Sequence, residues 1–458
     1  MMVLDRTTPP EIVEQSKFHL PEIQHIVSDG GMKGLFIQKT KLPMVQFTLI
    51  VSTGCVLDAE GKSGVANLTA ILIDEGAGGL TSLELNNQFE MLGSSIHISI
   101  NHEFMYFTLV SLEEKFGETL ALLNKILTKP HFEEKEFLRE RSKVLAQLLQ
   151  IKDEPDTIAD KVFETHVFGS QNKLGHFNLG NEKEVESLTN EDVINFYRSH
   201  ISYDKAGFIC AGSLSSDELK SLVNQFIDKF GEAKDSALPA FVPPVKKRCL
   251  YYVHKPEAQQ MEIRVGNLSD KRSNGDFYAK TVMNTILGGQ FNSRINFKLR
   301  ETKGFTYGAS SLYSYRKEMG YFLLTTSVQS EHTIEAVQDI FIEFNQIKES
   351  ITNDELEAAK LSIIRRFPSN FETYYQLASG LNTLFIYNLK PSYFNEYISK
   401  IRSVTVDDAI NAAKKHIVNE EMVVVLVGNK IHFADHLSEF NFDEITELNE
   451  CGDALTSG

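Results

Sequence analysis

The sequence has no apolar run of the roughly eighteen residues that a bilayer-spanning helix needs. Its most apolar stretches, Met44–Val51 and residues 422–427, are strand-sized. It also has no excess of basic residues. Lysine and arginine number 46 against 62 aspartates and glutamates, a net charge of −16, and no long basic run interrupts this. Nucleic acid and anionic membranes are therefore poor partners. Cysteine is scarce, and Cys55, Cys210, Cys249 and Cys451 lie far apart with no C-x-x-C pair. They read as reduced, mostly packed thiols of a cytosol-like compartment. The N-terminal stretch MMVLDRTTPPEIVEQ has no basic flank leading into an apolar core, and it is neither Arg-rich nor free of acids. A cytoplasmic location is expected, or a periplasmic one if a leader has been removed.

What the sequence does have is apolar periodicity. With 458 residues, 42% hydrophobic and 24% charged, the chain can bury more than one core. Its organising stretch is SGVANLTAILIDEG, residues 63–76. Val65, Leu68, Ile71, Leu72 and Ile73 recur at spacings that predict a largely buried helix. Ser63 is placed to accept hydrogen bonds from the free amides of the first turn, and Gly76 to close the last turn at positive φ.

The stretch GVANLTAILIDEG resembles, position for position, the zinc helix of the pitrilysin-like (M16) peptidases, whose typical pattern is GxxHFLEHMLFKG. That family binds zinc through an inverted H-x-x-E-H motif. Here the two histidine positions are Asn67 and Ile71, and the position of the catalytic glutamate is Ala70. The family's third ligand is a glutamate seven residues after another glutamate; here Glu140 is followed at that distance by Gln147. Isoleucine and alanine offer a metal no lone pair, and a neutral amide is a poor substitute for imidazole or carboxylate. The resemblance therefore implies the frame of a zinc peptidase with no metal or general base of its own.

Around that helix, residues 34–38 and 45–52 read as a strand hairpin turning at 41–43. Residues 82–92 read as a second helix with acidic Glu84 in its first turn. Alternating Ile96, Ile98 and Ile100, and then 104–111, read as strands. Residues 112–127 and 133–151 read as amphipathic helices, the second burying Phe137, Val144, Leu145 and Leu148. Helices over 156–168 and 190–200, a strand over 207–211 and a helix over 217–230 complete the first half.

Residues 231–247, GEAKDSALPAFVPPVKK, lack periodicity and read as a linker. The pattern then restarts. Ile286-Leu287 answers Ile71-Leu72, Gly308 answers Gly93, and Tyr321-Phe322 answers Tyr106-Phe107, all at an offset of 215 residues. A tandem duplication explains this. The expected fold is α+β, with domains at 1–230 and 248–458. The family resemblance covers almost the whole chain, including FYRSHISYDKAGFICAGSL at 196–214. It implies that each domain is a mixed, mostly antiparallel sheet with helices on one face.

A second constellation lies in ILGGQFNSRINFKLRETKGFTYG, residues 286–308. In the C-terminal domains of the family, an arginine and a tyrosine seven apart reach the partner's zinc site, hold the substrate and steady the oxygen that develops charge. Arg300 and Tyr307 occupy the matching frame R-E-x-x-G-x-x-Y. A guanidinium offers carbonyls a planar fork, and a phenol can donate to an oxyanion in a dry cleft. The alternative pairs Arg300 with a surface acid such as Glu301 and packs Tyr307 in a core.

Other signals carry less. His432, Asp435 and His436 have ligand-like spacing but sit in an acidic tail. Gly61-Lys62-Ser63 mimics the end of a phosphate loop, yet Val56 stands where that loop needs glycine. Asn67-Leu68-Thr69 matches a glycosylation sequon on a helix expected to be buried.

By resemblance, then, this is the non-catalytic subunit of a heterodimeric M16 (subfamily B) peptidase. It would pair with a homologue carrying an intact H-x-x-E-H motif and zinc, and enclose unfolded peptide. Gly288-Gly289 runs directly into Gln290-Phe291, where the non-catalytic subunit of mitochondrial processing peptidase has a long glycine-rich loop. A bacterial degradative role is therefore expected over presequence recognition. A structural scaffold without proteolytic role, or a peptide-binding homodimer, are the alternatives.

Overall fold

The computed structural model describes residues 20–231 and 241–455. The N-terminal stretch and most of the linker read above lie outside the described residues. In the first half, β1 (Ile23–Val27), β2 (Lys33–Gln38), β3 (Met44–Val51), β4 (Ser95–Ile100), β5 (Met105–Leu112) and β6 (Ala206–Gly212) form one sheet in the order β1-β2-β6-β3-β5-β4. In the second, β7 (Cys249–His254), β8 (Gln260–Asp270), β9 (Thr306–Tyr315), β10 (Met319–Gln329), β11 (Val423–Gly428) and β12 (Glu444–Leu448) form another, in the order β12-β7-β11-β8-β10-β9. Five positions of the two sheets correspond in chain order and direction. Only the outer edge differs: β1 is a hairpin partner of β2, whereas β12 arrives from the C-terminal tail and runs parallel to β7.

The helices of the first half are α1 (Val65–Leu72), α2 (Ser82–Met91), α3 (Phe116–Thr128), α4 (Glu134–Ile151), α5 (Pro155–Phe168), α6 (Glu182–Ser187), α7 (Asn190–His200) and α8 (Ser216–Phe226). The second half has α9 (Phe277–Leu287), the single turn α10 (Arg294–Asn296), α11 (Thr333–Glu349), α12 (Asn353–Arg366), α13 (Tyr374–Ile386), α14 (Tyr393–Ser403) and α15 (Val406–His416). Phe47, Phe107 and Phe208 of the first sheet are fully buried against Leu68, Leu120, Leu123 and Phe137 of its helices. Phe322, at the offset of 215 from Phe107, is buried in the same way against Ile286, Ile340 and Phe344. The α+β reading and the repeat therefore hold: two mixed, mostly antiparallel sheets, each with a helical layer on one face.

The opposite faces are covered by exchange. Helix α5 of the first half lays Ile158, Val162, Phe163 and Val167 on Val253, Leu323, Val425 and Val427 of the second sheet. Helix α13, its counterpart in the repeat, lays Leu377, Leu381 and Leu384 on Leu35, Ile37, Ile50 and Ile209 of the first. Central strands are thus apolar on both faces, which is why β11 reads VVVLVG without alternation. Ion pairs rim one of these crossings. Arg264, 5% exposed, donates to Asp160, while Glu164 accepts from Arg316 (3.0 Å) and from the Tyr321 hydroxyl (2.6 Å).

Three local readings need correction. Strands β2 and β3 are not a hairpin: β6 lies between them, parallel to β2 and antiparallel to β3. The connection crosses the end of β6, where the Lys39 amide donates to the Gly212 carbonyl. Ser63 does not cap α1. The Asp58 carboxylate does, accepting from the amides of Gly64 (2.7 Å) and Ala66 (2.9 Å), while the Ser63 amide is held by Glu184. The helix itself ends at Leu72, four residues before Gly76, which does adopt positive φ (115°). No helix among the described residues is long and apolar enough to cross a membrane.

Candidate functional site

Helices α1 and α4 pack in one core and carry the four altered positions of the zinc motif. Ala70 is buried, Ile71 packs against the core, and Gln147 is exposed on α4. Asn67 is half-buried, and its Nδ2 has no hydrogen-bond partner. This donor set does not fit zinc. One amide, two hydrocarbon side chains and a solvated glutamine supply no anionic or imidazole ligand. Beside it, buried Glu140 is bound by Arg139 (2.9 Å) and Lys143 (2.8 Å), and Arg139 also pairs with Glu75 (2.6 Å) and Glu136 (2.8 Å). Asp74 sits in this acidic corner, and burial, with added repulsion from Glu75 and Glu140, pushes its carboxyl up to about 7.

The Arg300/Tyr307 region is built around close backbone contacts. The loop leaving α9 must be glycine. A Cβ on Gly288 would lie 2.4 Å from Ser311 Oγ, and one on Gly289 would lie 2.9 Å from Asn284 Nδ2. The loop is tied to β9 by the Ser311 amide donating to the Gly288 carbonyl, and by Asn284, which donates to Ser311 O (2.9 Å). Arg300 lies in a π-helical turn, Phe297–Thr302, and its guanidinium stacks 4.4 Å from the centroid of the Phe291 ring. Its ion partner Glu301 is 3.6 Å away. Tyr307 stands on β9, an edge strand of the second sheet, and is 91% exposed, so it does not pack in a core. Tyr307 and Phe291 line a cleft of about 500 Å³, together with Gln290, Asn296, Ser310 and Thr325. Every residue lining it belongs to the second half, so the cleft does not include the altered zinc positions.

One cluster escaped sequence reading because three elements assemble it. Asp270, Asp276 and His416 bring ligand atoms within 4.8 Å of one another. The cation there is Lys415, whose ammonium donates to Asp276 (2.9 Å) and Asp270 (3.1 Å), while His416 Nε2 lies 2.6 Å from Asp276. Burial works against ionisation of Asp276, but the bonds from His416 and Lys415 hold its carboxyl below the ordinary range. It is an ionic tie between β8, α9 and α15.

Residues 35–176 match the family model of insulinase (peptidase family M16), and residues 187–363 match that of the peptidase M16 inactive domain. The chain belongs to the peptidase M16 family. Among M16 relatives it is 24% identical to the "Non-peptidase homolog YmxG" of Helicobacter pylori, an alignment covering 88% of this chain and 93% of that protein. It is 20% identical to the mitochondrial-processing peptidase subunit beta of Dictyostelium discoideum, over 84% of each chain. Among solved structures, the peptidase M16 inactive domain from Pseudomonas fluorescens superposes with a TM-score of 0.81 at 25% identity, covering 89% of this chain and 98% of that one. With its altered zinc motif, the chain is an inactive M16 peptidase-like protein. Of the residues around Arg300 and Tyr307, Phe291 and Asn296 were not singled out from the sequence. Only the resemblance framed this stretch, and it marked neither.

Proposed function

We propose that this chain is the non-catalytic subunit of a heterodimeric M16 (subfamily B) zinc endopeptidase, lending Arg300 and Tyr307 to its partner's active site. The observation that carries this reading is the exposure of Tyr307. A phenol 91% exposed on an edge strand, beside a cleft lined wholly by the second half, has no structural use within its own chain. The partner is a homologous M16 subunit with an intact H-x-x-E-H motif, which holds the zinc. The substrate is unfolded peptide, to which the edge strands β4 and β9 offer unpaired backbone groups in the manner of strand addition. Against such a peptide the Arg300 fork would grip carbonyls, and the Tyr307 hydroxyl would donate to the oxygen on which charge develops. The relative named as one subunit of a processing peptidase, and the one named as a non-peptidase homologue, support a chain of this kind. The bacterial relative from Helicobacter pylori suits a degradative, cytoplasmic role, with each chain forming half of a peptide-enclosing chamber.

The test is peptide hydrolysis by the reconstituted pair. Tyr307→Phe removes one donor and almost no volume, and the expected loss in kcat is about a hundred- to a thousand-fold. Arg300→Ala raises KM as well as lowering kcat, and Arg300→Lys does not restore full activity because an ammonium lacks the planar fork. Gel filtration checks that each variant still assembles. Unchanged kcat/KM in both Tyr307→Phe and Arg300→Ala rejects this function and leaves a scaffold.

A further inference from the structure

We infer that Phe291 is a positioning residue for Arg300: its ring, on the wall of the cleft it shares with Tyr307, is the platform that holds the guanidinium. This rests on the role proposed above for Arg300. Apart from the loose ion pair with Glu301, no hydrogen bond among the described residues orients that guanidinium. The contact with Glu301, at 3.6 Å, is longer than a hydrogen bond, and the Nη1 atom is buried without a hydrogen-bond partner. What lies against its flat face is Phe291, 4.4 Å from guanidinium carbon to ring centroid, within the range of a cation–π contact.

Phe291 is not there to fill a core, since it is 64% exposed. Its backbone is nonetheless fixed. Asn296, 3% exposed, donates through Nδ2 to the Phe291 carbonyl (2.6 Å) and accepts through Oδ1 from the amide of Ala309 (2.8 Å), two residues beyond Tyr307. One buried amide thus couples the Phe291 loop to the strand that carries the phenol. Gly288 allows the loop to approach Ser311 of β9 closely, and Gly289 allows it to approach Asn284 of α9. Ring and phenol line one cleft, and without the ring the long arginine side chain would sample many rotamers in place of one.

The chain contains no tryptophan, so Phe291→Trp creates a single indole reporter that keeps an aromatic platform. In the full chain alone, its emission is expected to shift when Arg300→Ala is added, because the cation leaves the ring face. In the heterodimer reconstituted with the zinc-motif homologue, with fluorescein-labelled casein as substrate, Phe291→Ala and Phe291→Leu are expected to lower kcat/KM by about five- to tenfold, mainly through KM. Phe291→Trp and Phe291→Tyr stay near the parent. Melting temperature and gel-filtration volume are expected to stay unchanged in all four variants, as befits an exposed side chain. Identical emission with and without Arg300 would overturn the contact. Parental kinetics in Phe291→Ala and Phe291→Leu beside an impaired Arg300→Ala would overturn only the role of Phe291, as would loss of assembly in Phe291→Ala, which would make the ring a docking anchor. Parental kinetics in Arg300→Ala itself would overturn the catalytic reading beneath it and Phe291's role with it.

Discussion

Two aspartates on either side of α1 show how environment decides what a carboxylate does. Burial pushes both Asp58 and Asp74 up to about 7. Asp58 uses that burial: its two oxygens take the amides of Gly64 and Ala66, so removing it costs a helix cap. Asp74 lies beside Glu75 and Glu140, and no comparable cap follows from its position. Its folded pKa lies above the ordinary 3.8, so the folded state keeps a proton that the unfolded chain has released. Stability therefore falls as pH rises from about 4 to about 7, and the full penalty applies above that. Asp74→Asn removes the charge at nearly constant volume. Chemical denaturation is expected to show it more stable than the parent by about 1–2 kcal/mol at pH 8. The gain should vanish near pH 4, and a gain independent of pH would exclude ionisation as its cause.

At the scale of elements, the exchange of α5 and α13 makes each half depend on the other. Phe163 of α5 and Leu381 of α13 are fully buried in the interfaces between halves. Phe163→Ala is expected to cost about 3–5 kcal/mol and Leu381→Ala about 2–5 kcal/mol. Because each removes packing shared by both halves, calorimetry should show one transition moved to lower temperature in either variant. Two separated transitions would show that the halves unfold independently. Sequence periodicity placed α5, at residues 156–168, since a 3.6-residue stripe is a local property, but it gave no helix over α13. It could not say which sheet each stripe meets. The hairpin read at residues 34–52 failed for the related reason that β6, the strand between β2 and β3, arrives from about 160 residues further along the chain.

The whole molecule leaves β4 and β9 among its sheet edges, and exposed Phe291 and Tyr307 line one cleft at β9. Exposed apolar groups beside an open edge are the marks of an association surface. Sedimentation of the chain mixed with an H-x-x-E-H homologue is expected to give a heterodimer, and the chain alone a weaker homodimer. Monomer behaviour in both experiments would remove the partner from the proposal.

The sequence by itself determined the family frame, the duplication and the loss of the zinc donors, because each is a matter of residue identity at fixed spacing. Ala70 and Ile71 offer a metal no lone pair in any fold, and the neutral amides of Asn67 and Gln147 are poor substitutes for zinc ligands. It also placed Arg300 and Tyr307 in register through their neighbours. Tertiary structure alone decided that Tyr307 is exposed rather than packed, that Asp58 caps α1 in place of Ser63, and that the Phe291 ring lies against the Arg300 guanidinium while Asn296 binds the Phe291 carbonyl. These depend on how loops and strands distant in sequence approach one another, and an exposed phenylalanine or a buried asparagine gives no periodic signal of the contact it will make.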